Sequence, residues 1–170
     1  SLTEMAKQAI QEKHYEKAIE LLEKAQAYPE NLGEGKLYGA QENAIYYWLG
    51  NAYSGMNESE KSRQYWEKAS SGISEPVPAI FYNDQQPDTI FYQGLALIQL
   101  GKNEEAQSRF NKLIDFGKTH LNDEFKLDYF AVSLPDLQIW DDDLTKRNHQ
   151  NCLNLIALGE LGLSQIQDKK

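Results

Sequence analysis

Cysteine is almost missing from this chain: Cys152 is the only one in 170 residues. No internal disulfide can form, so the fold holds without crosslinks, which fits a reducing compartment and leads us to expect a cytoplasmic protein. Basic residues are also scarce, 17 Lys and Arg against 26 Asp and Glu, for a net charge of −9. A field of that sign repels phosphate backbones and anionic lipid, which argues against nucleic acid and membrane as partners and favours a basic one. Apolar runs stay far below the roughly 20 residues that span a bilayer. The opening SLTEMAKQAI lacks a basic stretch followed by an apolar one, so it is no secretory leader. The chain begins with Ser1 and not Met, and we read it as a fragment of a larger protein.

Catalytic signals are absent in the same way. His14, His120 and His149 are the only histidines; none sits in HExxH spacing, and no second cysteine exists for a zinc site. His149 and Cys152 are three apart and can share a helix face, but Cys152 reads as a small buried hydrophobe. No GxSxG elbow surrounds Ser133, and Gly33 with Gly35 make no phosphate-cradling loop. The run Asp141, Asp142, Asp143 suggests paired carboxylates, yet acids just ahead of a helix are better explained by its dipole. No metal, cofactor or catalytic residue is expected.

A period is present. YYWLGNAY, residues 46–53, places Gly50 in the middle of a helical pattern, where glycine costs about 0.5–1 kcal/mol relative to alanine. Gly94 follows 44 residues later, and at that shift Tyr38 meets Tyr82, Gln41 meets Gln85, Tyr47 meets Phe91, Trp48 meets Tyr92, Trp66 meets Phe110 and Lys68 meets Lys112. The same shift backwards aligns Ala6 with Gly50 and Leu22 with Trp66. Each copy reads as two amphipathic helices around a short turn. In the first copy the turn lies at Lys13-His14. In the second, helices near 43–55 and 59–71 flank GMNES; in the third, helices near 88–100 and 103–116 flank LGKN. Gly101 is suited to stop a helix, and Asn57 or Asn103 to cap the next one. The prolines at 76, 78 and 87 exclude continuous helix between copies two and three.

These positions resemble the tetratricopeptide repeat, whose pattern runs W-x2-L-G-x2-Y and then A-x3-F. Tyr46, Leu49, Gly50 and Tyr53 fill the first part and Ser62 with Trp66 the second. Ile90, Gln93, Gly94, Leu97, Ala106 and Phe110 follow, with Leu2, Met5, Ala6, Ala9, Ala18 and Leu22 in the first copy. A partial fourth copy shows at Leu155, Leu158, Gly159 and Gly162. Gln93 and Gly162 stand where the pattern has larger apolar residues, and the usual unit is about 34 residues, shorter than this spacing. The resemblance implies an all-α fold, a right-handed solenoid of antiparallel helix pairs with elongated linkers, forming one domain over 1–170. Repeats fall near 1–32, 43–76, 87–117 and, in part, 149–170, with an insertion at 117–148. Small residues at the crossings let the helices approach, and stacked pairs share one core.

The resemblance further implies a non-catalytic scaffold binding a protein or peptide, or another domain of the same parent chain. In such arrays the first helices line a concave groove, here through Tyr47, Asn51, Ser54, Phe91, Leu95 and Ile98; the other possibility for Phe91 and Leu95 is burial under the linkers. Relatives that hold a peptide carboxylate use lysine, asparagine and arginine at fixed groove positions. Thr3, Lys7, Trp48, Asp88 and Tyr92 stand there, and none agrees. YPENLGEGK and DYFAVSLPDL are similar to the C-terminal helical region of large bacterial proteins that carry a glycan-related β-rich module. That suggests an alternative role as an accessory module of a carbohydrate-active enzyme, with Tyr38, Phe81, Tyr82, Tyr129, Phe130 and Trp140 as loop aromatics that shape a glycan site or pin the loops.

Overall fold

Three tight turns repeat one backbone design at the 44-residue spacing. Lys13, Asn57 and Gly101 all have left-handed φ, at 64°, 62° and 78°. In each turn the following N–H reaches five residues back: His14 to the Ala9 carbonyl at 2.8 Å, Glu58 to Tyr53 at 3.0 Å and Lys102 to Leu97 at 2.8 Å. The left-handed residue itself bonds three back, to Ile10, Ser54 and Ile98 respectively. This is the Schellman closure, which satisfies the last carbonyls of one helix and sends the chain directly into the next. Asn57 therefore serves as the left-handed residue of its turn. The helix after it starts from Glu58, without a side-chain cap. Asn103 does not cap either, since Lys102 holds that place and Asn103 is the first helical residue.

A computed structural model describes residues 1–27, 42–77, 88–125 and 135–168, with the side chains of 135–142 outside it. Among the described residues there are seven helices and no strand: α1 (Leu2–Gln11), α2 (Tyr15–Ala27), α3 (Glu42–Gly55), α4 (Ser59–Ala69), α5 (Asp88–Gln99), α6 (Asn103–His120) and α7 (Pro135–Asp168). None is long and apolar enough to cross a membrane. Helices α1/α2, α3/α4 and α5/α6 form three hairpins, and α3 and α5 also contact each other and the preceding hairpin.

Trp66 accounts for the glycine at position 50. A Cβ there would collide with the Trp66 indole, and one at 94 would collide with the Phe110 ring. Both pairs are sixteen residues apart, one member on each helix of a hairpin. Ala6 and Leu22 keep the same separation in the first hairpin, and both are fully buried there. Small residues also line the second helices at Ala18, Ser62 and Ala106, all buried.

Gln93 is fully buried, and the structure shows why a polar residue replaces the expected apolar one. Its Nε2 donates to the carbonyls of Ile73 at 3.1 Å and Ser71 at 3.4 Å, and its Oε1 accepts from Arg109 Nε at 3.3 Å. Asn43 Nδ2 donates to the carbonyls of Ala69 and Ser71, each at 2.7 Å. Amides from α3 and α5 thus hold the segment leaving α4, and Lys112 adds an ion pair to Glu75 at 2.6 Å.

Helix α7 begins at Pro135, inside the stretch that reads from sequence as an insertion. Asp141, Asp142 and Asp143 accordingly lie within a helix, not ahead of one, and Asp143 pairs with Arg147 at 3.3 Å. The helix lies close along α6. A Cβ on Gly117 would stand 2.7 Å from the Cys152 carbonyl oxygen, one on Gly159 2.6 Å from that of Phe110, and one on Gly162 against the Phe110 ring. Asn148 Nδ2 donates to the His120 carbonyl at 2.7 Å and Thr145 Oγ1 accepts from the Phe125 N–H at 3.1 Å, closing the end of α6.

Candidate functional site

The first helices of the hairpins, α1, α3 and α5, place equivalent residues side by side at the 44-residue offset. Where the six expected groove residues lie is clear. Tyr47 and Phe91 are 8% and 7% exposed and Ile98 5%, so the core takes them. Leu95 and Asn51 are half-buried and Ser54 is exposed. The physical reason is direct contact between neighbouring helices through rings. Tyr47 packs on Tyr92 with centroids 5.7 Å apart and on Trp48 at 5.0 Å, and Phe91 meets Phe110 at 6.1 Å. Asn51 is committed as well, its Oδ1 accepting from Trp66 Nε1 at 3.0 Å.

The chemistry gathers one position along. Glu4, Trp48 and Tyr92 are equivalent residues of α1, α3 and α5, and Trp48 and Tyr92 meet edge to face at 6.3 Å. Lys7, one turn beyond Glu4, sets its ammonium over the Trp48 ring, 5.3 Å from the centroid, and pairs with Glu4 at 3.0 Å. Burial pulls the Lys7 ammonium down, but Glu4 and the Tyr92 hydroxyl together outweigh it and hold its pKa above the ordinary value. Asp88, at the start of α5, keeps exposed surface although protein atoms crowd its carboxyl. That crowding lifts its pKa, opposed by its own and the Thr89 N–H groups and by Lys7. Trp48 Nε1 is buried without an acceptor, a state that costs about 1–3 kcal/mol. Lys7, Trp48, Asp88 and Tyr92 thus converge from three successive hairpins. The sequence presents them only as mismatches to a carboxylate-binding pattern; the signal that could have joined them is the offset placing Glu4, Trp48 and Tyr92 in register.

Other candidates do not converge. Cys152 is fully buried, its Sγ 3.7 Å from Asn148 Oδ1, and burial, with Asp123 nearby, pushes the thiol up. His149 is exposed and its Nδ1 lies 3.2 Å from the Leu121 carbonyl oxygen. Among the described residues no three His, Cys, Asp or Glu side chains are grouped to hold a metal. Tyr38, Phe81, Tyr82, Tyr129 and Phe130 lie outside the described residues, and so does the side chain of Trp140.

Residues 44–71 and 88–115, the cores of the second and third hairpins, each match a family model of the tetratricopeptide repeat. Both hairpins are similar to the tetratricopeptide repeat. No solved structure matches it significantly. The two matched repeats contain both glycine–aromatic crossings, Gly50–Trp66 and Gly94–Phe110. Tetratricopeptide repeats generally mediate protein–protein interaction and are typically non-catalytic, and an interaction role for this chain is consistent with that.

Proposed function

We propose that the chain is a non-catalytic scaffold that binds an extended segment of a protein or peptide across the face formed by α1, α3 and α5. One observation carries this reading: Lys7, Trp48, Asp88 and Tyr92, from three successive hairpins, meet on that face. An aromatic pair with charges at its edge offers the rigid contact area and polar handles that anchor partner segments. A partner in another part of the same parent chain meets the same surface.

The test is a peptide-array screen followed by calorimetry on the intact chain. Trp48→Ala and Tyr92→Ala are expected to abolish binding of the selected peptide while far-UV circular dichroism stays helical. Binding that survives both changes would overturn the assignment of the face. Tyr47 and Phe91, though expected groove residues, are unsuitable for this test because both belong to the buried core.

A further inference from the structure

We propose that this face reads a basic side chain: a lysine or arginine of the partner segment takes the place that Lys7 holds in the free protein, against the rings of Trp48 and Tyr92 and the carboxylates of Glu4 and Asp88. The inference rests on the preceding reading of the face as the binding surface, and adds the chemistry of its occupant.

The surroundings of Lys7 suit a cation. The Trp48 ring face lies 5.3 Å from its Nζ, the Glu4 carboxylate 3.0 Å, and the Tyr92 hydroxyl and Asp88 carboxyl also favour the charge. Indole is the ring best suited to a cation. Lys7 fills this place from an adjacent turn of α1, and its ion pair is with an exposed Glu4. Such an exposed pair contributes little to stability, and what chiefly holds Lys7 is the Trp48 ring and the Tyr92 hydroxyl, which an incoming cation can use in its stead. An arriving ammonium or guanidinium therefore exchanges like for like, while Lys7 swings into water and regains rotamer freedom. Arginine gains more than lysine, because its planar, weakly hydrated head stacks on the indole.

The long-range field points the same way. A chain of net charge −9 attracts a basic segment and speeds its approach. Once Lys7 swings away, Glu4, Asp88, Trp48 and Tyr92 leave the site two carboxylates and two rings. A carboxylate-tailed peptide finds the opposite of what it needs there.

The experiment uses the intact chain, 15N-labelled, with Trp48→Phe identifying the Trp48 indole N–H resonance. It is titrated with two synthetic decapeptides of one Gly-Ser background, carrying either two arginines or two glutamates. The arginine peptide is expected to shift the Trp48 indole, and the glutamate peptide to leave it unmoved. Lys7→Ala, which vacates the place on a good helix-forming residue, is expected to tighten arginine-peptide binding about five- to tenfold, as removal of a competing occupant does. Lys7→Arg keeps the place filled and is expected not to tighten it, and Asp88→Asn to weaken it. Unchanged or weaker binding by Lys7→Ala overturns the proposal. A shift with the glutamate peptide alone overturns it too, yet leaves the face as a binding surface. Silence of the indole toward both peptides, and toward any peptide selected on an array, removes the scaffold reading as well.

Discussion

Trp66 occupies the space where a side chain at residue 50 would begin, and Phe110 does the same to residue 94. The two hairpins therefore share one crossing, a ring on the second helix set into a notch on the first. The first hairpin has Ala6 and Leu22 at the equivalent positions, both buried in one apolar cluster. Across the three hairpins, glycine at the first position goes with a ring at the second, and alanine with leucine.

That covariation makes a prediction about coupling. Gly50→Ala alone is expected to destabilise by about 1–3 kcal/mol, because the crossing is overpacked. Combined with Trp66→Leu, which recreates the Ala6–Leu22 arrangement, the added cost of the alanine is expected to vanish. A double-mutant cycle in urea measures this. Strict additivity of the two changes would show that Gly50 and Trp66 do not share the crossing.

The turn residues give a second prediction. Lys13 bears a left-handed φ of 64° with a Cβ, whereas Gly101 meets 78° without one. A left-handed conformation costs an ordinary residue roughly 1–2 kcal/mol. Lys13→Gly is therefore expected to stabilise the chain by up to about 1 kcal/mol, and Gly101→Ala to destabilise it by about as much. Shifts of the urea midpoint in opposite directions check both.

The hairpins were legible in the sequence because a ring and a notch sixteen residues apart, repeated every 44, have no other economical explanation. The turns were legible in place at all three positions, Lys13-His14 included, but the left-handed residue was announced by its type only at Gly101 and not at Lys13. The start of α7 was missed although Pro135 is suited to a first helical position; three consecutive aspartates inside the helix look like the acids that precede one. Three of the six expected groove residues, Tyr47, Phe91 and Ile98, lie in the core for a geometric reason. Periodicity tells which face of a helix is apolar, but cannot tell whether solvent or the neighbouring helix covers it, and Tyr47 and Phe91 face neighbours. Convergence of Lys7 with Trp48 and Tyr92 depends on how three hairpins stack, which no single segment encodes.

Gln93 yields a third prediction, which runs against the repeat pattern. Leucine there matches the pattern and is the more apolar choice for a fully buried position. The structure instead gives Gln93 three hydrogen-bond partners, the carbonyls of Ser71 and Ile73 and the Arg109 guanidinium. Gln93→Leu is expected to destabilise by about 1–3 kcal/mol, because it strands those groups. Denaturation showing the leucine variant as stable as the parent would refute the clamp.

Asp88 sets the last prediction, in pH. Crowding by protein lifts its folded pKa above the unfolded value, so the folded state holds this proton more tightly. The group's contribution to stability is therefore fully present below the unfolded carboxylate pKa of about 3.9 and is lost as pH rises through the higher folded value. At neutral pH the ionised carboxyl carries a desolvation penalty that an amide lacks, although solvent still reaches the residue and trims the effect. The Asp88→Asn variant is expected to melt at or above the parent's temperature at pH 7, with its advantage shrinking as pH falls toward 3. Melting curves of both proteins from pH 3 to pH 8 read this difference directly, and the other carboxylates cancel from it. An advantage that grows on acidification would mean that Lys7 and the α5 amides outweigh the crowding, and that Asp88 is held ionised on this face.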